Sequence, residues 1–490
     1  MSSSKHSLPP GWAWASLGDV THLKISQERP ARETTFSYID ISSIDNKAKT
    51  IIDVRKVPAA KAPSRARQRV CAGDVLVSLT RPNLNAVALV PSYLDASIAS
   101  TGFDVLRPIH VDPAWIFAVV RSESFVAEMS RLVQGALYPA IRPHDVRNFK
   151  FPLPPQAEQR RIISKIETLG RYIGQTKEVT ANIIDFIEEF RRSVLTVAFR
   201  GDLTLDWRKA HTSTEPAKRL LNRIRAERKR RWEESLQVKG KASENYRSSI
   251  YQEPEPADGT KLPELPEGWT WATLAELTDP VRVIRYGILM PGPETAGGIP
   301  YVKVLHMRGD TIDVEALPRT SPEIHAKFYG ASLKNGDILL SIRGTYGRVA
   351  EVPKVLEGAN ITQDSARIAP LPGVQADFLS IILRSPQMQA YFSSIAKGVA
   401  VRGLNIGEIR STPIPLAPEA EQKQIAKVVK EKLTLIDAVN RFMRQIPDDL
   451  QKLEASIYSK AFRGELVPQH PDDEPASVLL ERIRAKKQVA

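Results

Sequence analysis

The sequence predicts an α+β protein built by internal duplication: two globular domains separated by two long helices that pair antiparallel, with pseudo-two-fold organisation. Three observations predict it. Phe151-Pro-Leu-Pro-Pro-Gln-Ala-Glu-Gln-Arg-Arg-Ile162 returns as Ile414-Pro-Leu-Ala-Pro-Glu-Ala-Glu-Gln-Lys-Gln-Ile425, and each copy opens a long segment that closes on Ala198-Phe-Arg-Gly-Asp-Leu203 or Ala461-Phe-Arg-Gly-Glu-Leu466. The offset between copies stays at 263 residues from start (158 to 421) to end (201 to 464), so the element has one fixed length. Strand-like runs fill the segment before each copy, including Tyr38–Ile41, Val75–Leu79, Tyr301–Val304 and Ile338–Ile342, with Gly-Asp turn signals before two of them.

Each long segment is punctuated as a helix. Pro155 and Pro418 suit a first turn, where a missing N–H costs nothing, and Glu158 and Glu421 place negative charge beside the positive helix start. Gly201 and Gly464 suit the left-handed residue that ends a helix. Between them, a seam recurs at spacings of three and four: Ile162, Ile166, Leu169, Ile173, Thr176, Ile183, Phe190, Val194 and Val197, against Ile425, Val429, Ile436, Val439, Ile446, Leu453 and Ile457. About 45 residues make a rod of roughly 65 Å, too long for one small domain to cover, so the simplest partner for each rod is the other. Pro447 predicts a kink or a one-turn break in the second rod.

The repeat runs beyond the rods. Leu8-Pro-Pro-Gly-Trp-Ala-Trp14 returns as Leu265-Pro-Glu-Gly-Trp-Thr-Trp271, and the repeated tryptophans read as core. Glu215-Pro-Ala-Lys-Arg-Leu-Leu221 returns as Glu474-Pro-Ala-Ser-Val-Leu-Leu480, a short helix after each rod, the last of which is expected to dock near the N-terminus. Helical pattern also covers Pro113–Gln134 and Ala376–Ile395. The predicted organisation is a first globular domain at 1–150, a first rod at 151–205, a basic helix and linker at 206–262, a second domain at 263–413, and a second rod with tail helix at 414–490. Gln237–Pro263, rich in Glu, Pro, Ser and Lys without apolar period, is the linker.

With 490 residues, of which 42% are hydrophobic, the chain fills several cores, and a net charge of +13 points to a polyanionic partner. A single cysteine excludes an internal disulfide and a cysteine-built zinc site and fits a reducing compartment. No apolar run reaches membrane-spanning length and the first residues lack a signal peptide's apolar stretch, so a soluble cytoplasmic protein is expected. No phosphate loop, HExxH, GxSxG or CxxC is present, nor the Asn/Asp-Pro-Pro-aromatic word of amino-methyltransferases, and Asp448-Asp449 lacks the Glu-x-Lys that a nuclease site needs. The chain reads as one that binds rather than catalyses.

Two halves, each a globular segment followed by a rod that opens Pro-Leu-x-Pro-x-Ala-Glu-Gln and ends Ala-Phe-Arg-Gly, resemble the specificity subunit of Type I restriction-modification systems over nearly the whole chain. Gly-Trp-x-Trp at both domain starts and Ile299-Pro-Tyr-Val-Lys-Val304 support the resemblance. It implies that each globular segment is a target recognition domain reading one half of a bipartite double-stranded DNA site. It also implies that the rods space the half-sites and hold methyltransferase subunits, two in number, with restriction subunits joining them. By the same implication this chain is a non-catalytic phage-defence subunit that binds no cofactor, with S-adenosylmethionine on the methyltransferase partners and ATP and Mg on the restriction partners. A helical interaction scaffold that does not read sequence is the alternative.

Base edges are read by Arg, Asn and similar groups on well-held loops. The candidates in the second domain are Arg343, Thr345, Tyr346 and Arg348, in a polar loop directly after a strand, and their counterparts in the first are Arg81, Asn83 and Asn85. Arg402 and Asn405, with Arg142 and His144 opposite them, precede the rods, and there both DNA contact and structural anchoring stand open. Arg282, Arg285 and Tyr286 precede the Gly/Pro-rich loop 287–298 and are candidates for phosphate or groove contact. The basic helix from Lys218 to Arg231 follows phosphates on one reading and is a solvated or subunit-facing helix on the other.

Overall fold

The computed structural model describes residues 8–30, 34–133, 139–240, 251–398 and 402–489. The first seven residues, Gln134 and part of the linker (241–250) therefore lie outside the described residues. The chain forms two compact units, one made of Met1–Ala181 with Gln445–Ala490 and the other of Asn182–Arg444. Each rod is shared: the helix Gln156–Arg200 starts in the first unit and ends in the second, and Glu419–Phe462 does the reverse.

In the first unit, β1 (Ala13–Ser16) is followed by β2 (Thr35–Ile39), β3 (Arg55–Pro58), β4 (Ala66–Arg69), β5 (Val75–Ser78), β6 (Val87–Leu89), β7 (Ile98–Ser100), β8 (Phe103–Leu106) and β9 (Lys150–Leu153). They form sheets ordered β3-β2-β7-β4 and β8-β5-β6, with β1 paired to β9 alone. The second unit repeats this with β10 (Thr270–Thr273), β11 (Arg285–Tyr286), β12 (Ile299–Val302), β13 (Arg319–Thr320), β14 (Ile338–Ser341), β15 (Val349–Glu351), β16 (Asn360–Ile361), β17 (Ser365–Ile368) and β18 (Pro413–Leu416). Their sheets run β13-β12-β16 and β11-β17-β14-β15, with β10 on β18. Both copies of the Trp-bearing strand sit in one register: Trp14 faces Pro152 and Trp271 faces Pro415. The domain's first strand is thus stitched to the strand that runs into the rod.

The repeated words meet at one junction in each unit. Trp269 Nε1 donates to Glu421 Oε2 at 2.9 Å, and Trp12 Nε1 donates to Glu158 Oε2 at the same distance. Both glutamates are buried, so they do more than balance the helix dipole. Each tryptophan also packs on the glycine that ends the other rod. A Cβ on Gly201 would lie 3.0 Å from Trp269 and 2.8 Å from Pro266, and one on Gly464 would lie 3.2 Å from Trp12 and 2.6 Å from Pro9. With φ of +73° and +71°, these positions need glycine twice over. The neighbouring glutamines finish the joint. Gln422 Oε1 accepts the Gln375 N–H and Gln159 Oε1 accepts the Asp112 N–H, tying each rod's first turn to the residue that starts a domain helix.

Those domain helices correct one expectation. Each long helical pattern is two helices, Pro113–Arg121 with Glu123–Arg131 and Pro386–Ile395 after Ala376–Arg384. Ser122 and Ser385 break them, because each hydroxyl accepts an N–H three residues on (Phe125, Met388) and so caps a new helix start. Trp14 is a second correction, since it is 58% exposed while Trp12 and Trp269 are buried. A strand alternates its faces, and Trp14 is one residue past the core face that holds Ala13 and Ala15 around it.

The rods pair antiparallel. In the second unit Arg191 bonds Asp437 and Asn440 donates to Glu188 at 3.2 Å; in the first, Lys177 lies 3.5 Å from Glu454, so residue numbers rise on one rod as they fall on the other. Their seams are Ile187, Val194, Leu195 and Ala198 with Ile425, Val429 and Ile436 in one unit, and Ile162, Ile163, Ile173, Ile457 and Ala461 in the other. Phe190, Val439 and Leu453 do not join them and stay exposed, because each rod carries apolar residues on more than one face and only one face meets the partner. The second rod runs without a one-turn break through Pro447, which is exposed. After each rod a short helix docks with equivalent residues, Ala217, Leu220, Leu221 and Ile224 in the second unit and Ala476, Leu479, Leu480 and Ile483 in the first. The last helix reaches the N-terminal strand region as expected, with Ala476 N–H on the Gly11 carbonyl.

The two junctions differ in charge balance. Glu421 Oε1 also accepts from Thr204 Oγ1 (2.7 Å) and from Arg208 Nε and Nη2 (3.0 and 2.8 Å), whereas Glu158 Oε1 is buried without a hydrogen-bond partner among the described residues. Burial accordingly pushes the Glu158 carboxyl up from the ordinary range, against the pull of Trp12 and Arg161. Glu421→Gln strands Arg208 and should cost about 2 kcal/mol in urea unfolding at pH 7. Glu158→Gln should cost far less. The stability linked to Glu158 is present below its unfolded pKa and lost as pH rises through the higher folded one, so this variant should compare better with the parent at pH 8 than at pH 5. Equal penalties for both variants, with no pH trend, would contradict this description of the junctions.

Candidate nucleic-acid interface

The loop predicted as a reader in the second unit is Arg343–Arg348, between β14 and β15. Ser341 closes it, accepting the Arg348 N–H on its Oγ at 2.8 Å and donating that hydroxyl to the Thr345 carbonyl at 2.7 Å. Gly344 and Gly347 turn it at φ of +67° and +87°, and at Gly347 a Cβ would strike Gln389. Arg343, Thr345 and Arg348 are exposed and Tyr346 is half-buried against the core. The Arg348 guanidinium leans over the turn after β12, donating to the Val304 and Met307 carbonyls at 3.3 Å.

A second predicted segment lies beside the first. Arg343 bridges Gly403 and the Leu404 N–H donates to the Ile342 carbonyl, which sets Arg402–Asn405 against the Arg343 loop. Arg402 is exposed and donates to the Ala396 and Ser393 carbonyls, and Asn405 Oδ1 caps the short helix Ile406–Arg410. The first unit repeats this juxtaposition. Thr80 bridges Ala140, Arg81 N–H donates to the Pro139 carbonyl, and Ile141 N–H to the Leu79 carbonyl. Arg81 and Asn85, both at φ of +47°, bracket a single turn at Pro82–Leu84, a left-handed strain that a simple solvated turn has no need to hold. Arg81, Asn83, Arg142 and His144 are exposed, and Asn85 is half-buried with its carbonyl on Lys49 Nζ. His144 pairs with Asp145 at 3.0 Å.

Arg285 and Tyr286 form β11 at the edge of the sheet and are exposed, the Arg285 guanidinium lying directly on Gly330. Arg282 is placed elsewhere. It donates to both oxygens of buried Asp337, at 2.7 and 2.5 Å, and to the Ser332 carbonyl, which braces the turn before β14. Three arginines of the basic helix are likewise engaged within their unit: Arg225 on buried Glu276, Arg231 on Asp279, and Arg230 on Glu227, whose carboxyl Arg230 and Arg231 hold at about 2.

Residues that sequence reading passed over complete the surface. A concavity is walled by Arg343, Gly344, Thr345 and Arg348 on one side and Val304, Leu305 and Asp364 on the other, and it continues past Lys303, Thr362 and Gln363 to Leu289 and Pro291. Leu289, Met290 and Leu305 project as exposed apolar groups. Cationic, amide, hydroxyl and apolar groups on one held surface suit backbone and base-edge contact together. The signal for Lys303–Leu305 was the strand Ile299–Val302; the turn 362–364 carried no cue in sequence, because only the parallel pairing of β12 with β16 brings it there.

A family model described as "Type I restriction modification DNA specificity domain" matches residues 293–452. Among curated proteins, the Type I restriction enzyme EcoKI specificity subunit of Escherichia coli (strain K12) is 24% identical over 99% of this chain and 97% of its own length. The EcoBI specificity subunit of Escherichia coli is 28% identical over 69% of this chain, which spans 64% of that relative. Among solved structures, the HsdS subunit of Thermoanaerobacter tengcongensis is 25% identical with a TM-score of 0.62 and covers 95% of this chain and 100% of its own. A chain from a study of complex assembly and conformational transition of the type I R-M system is 26% identical, with a TM-score of 0.69 over 94% of this chain and 100% of that one.

Proposed function

The chain belongs to the family of Type I restriction-modification specificity subunits, and we propose that it reads a bipartite double-stranded DNA target, one half-site per globular domain, and assembles methyltransferase and restriction subunits on it. The observation that carries this reading is the loop pair. Two segments far apart in sequence are bridged at the same place in both units, on frames that share every strand named above except β4 of the first unit and β11 of the second, yet the side chains they present differ: Arg343, Thr345 and Arg348 in one, Arg81, Asn83 and Asn85 in the other. A constant frame with unlike polar tips is what two different half-sites require. The net charge of +13 supplies the sequence-independent attraction to phosphates.

Assembly finds support on the outer faces of the rods. Tyr172, Val179 and Phe190 are exposed, and so are their equivalents 263 residues on, Leu435, Phe442 and Leu453. The stripe is therefore present twice, which fits two copies of an apolar helical partner surface. Among the described residues no helix is long and apolar enough to cross a membrane. Catalysis belongs to the partners in this reading: S-adenosylmethionine on the methyltransferase chains, ATP and Mg on the restriction chains. The rods' fixed length makes them the spacer between half-sites.

Arg348→Ala should weaken binding to one half-site only, by about 1–3 kcal/mol where a bidentate base contact is lost. The measurement is binding to a panel of duplexes changed singly in each half-site, at two salt concentrations; equal loss across both halves with a lower salt slope would assign Arg348 to the phosphates instead. Phe442→Asp, at a 63% exposed position, should weaken capture of the methyltransferase partner at least tenfold while leaving DNA binding by the chain unchanged. Undiminished capture would remove the stripe from the assembly surface.

A further inference from the structure

The concavity of the second unit holds one group that a phosphate-binding surface should exclude. Asp364 lies in the wall of both of its parts, between Arg343 and Arg348 on one side and Lys303 on the other. Its place is set by backbone: its carbonyl accepts the Ile342 N–H at 2.7 Å, while the preceding Gln363 N–H donates to the Ile288 carbonyl and the Thr362 N–H to the Val302 carbonyl. Three strands' ends thus fix the turn. The carboxylate itself makes no hydrogen bond and no ion pair among the described residues, although three cationic side chains line the same hollow. Beside it Thr362, 94% buried, has a hydroxyl with no hydrogen-bond partner among those residues.

We propose that Asp364 is a specificity-determining residue that accepts a hydrogen bond from the exocyclic amino group of cytosine in the half-site read by the second unit. This rests on the DNA-reading function proposed above. A carboxylate at the centre of the surface repels a phosphate and can be satisfied only by a donor, and in the major groove the donors are cytosine N4 and adenine N6. Adenine sets its N7 acceptor next to N6, facing the second carboxylate oxygen, whereas cytosine presents C5–H there, next to exposed Leu305. The cations on the rim carry the phosphates and leave the acid to the base. In the first unit the strand register puts Gly102 at the equivalent place, its carbonyl accepting the Leu79 N–H as that of Asp364 accepts the Ile342 N–H, so the carboxylate and its preference belong to one half-site alone.

The test uses the full chain with its methyltransferase partner and duplexes in which every position of both half-sites is varied. At one position of one half-site the parent should prefer cytosine about tenfold or more over the other bases. Asp364→Asn, isosteric at a side chain without partners, should cut that preference to about threefold or less, tighten binding to unrelated DNA, and leave every preference in the other half-site intact, which also reports that the protein is folded. An intact cytosine preference in the variant overturns the assignment, as does a change spread evenly over all positions. A lost preference for adenine in place of cytosine overturns the choice of base. If the parent itself shows no preference in either half, the function proposed above has failed, and that result is distinct from all of these.

Discussion

Everything in the two units hangs on a buried hydrogen bond between an indole and a carboxylate. A glutamate in the first turn of a rod is kept from water by the domain it supports, and the tryptophan of the domain's first strand supplies the donor that a buried carboxylate needs. The same indole lies on the glycine that ends the antiparallel rod, so start of one rod, end of the other and start of the domain share a single contact. Lengthening any of the three by a residue would pull that contact apart. This explains why four distant words in the sequence repeat together and why the offset between the rods never drifts.

The junction fixes a frame and leaves the loops free to differ. Loops 80–85 and 343–348 leave equivalent strands and meet equivalent second segments, but one is turned by left-handed Arg81 and Asn85 and the other by Gly344 and Gly347. A rigid frame with replaceable tips separates the requirements of folding from those of recognition. Arg282, Arg225 and Arg231 fall on the folding side of that division. Their partners, Asp337, Glu276 and Asp279, are buried carboxylates whose charge they compensate.

Much of this was legible in the sequence because repetition and helix punctuation are local signals. The rods, their antiparallel pairing and the docking of the last helix follow from apolar period, glycine and proline positions and a constant offset. The serine breaks at 122 and 385 were hidden, since apolar spacing continues across them and only the hydroxyl's choice of a backbone N–H ends the helix. Phe190 and Leu453 were read into the seam because period alone does not say which of two apolar faces meets a partner. For the candidate surface, residues next to a strand end were legible, as with Arg343 and Arg348, whereas Lys303 and Asp364 join them only through non-local strand pairing.

On the proposed reading, two units built on one frame read two separate DNA half-sites. Its most direct test is sequencing of the modified bases in DNA from a host that expresses this chain with its methyltransferase partner. The expected result is an interrupted motif, two short specified stretches separated by a gap of fixed length and unspecified sequence. A single uninterrupted motif, or modification without any motif, would contradict it.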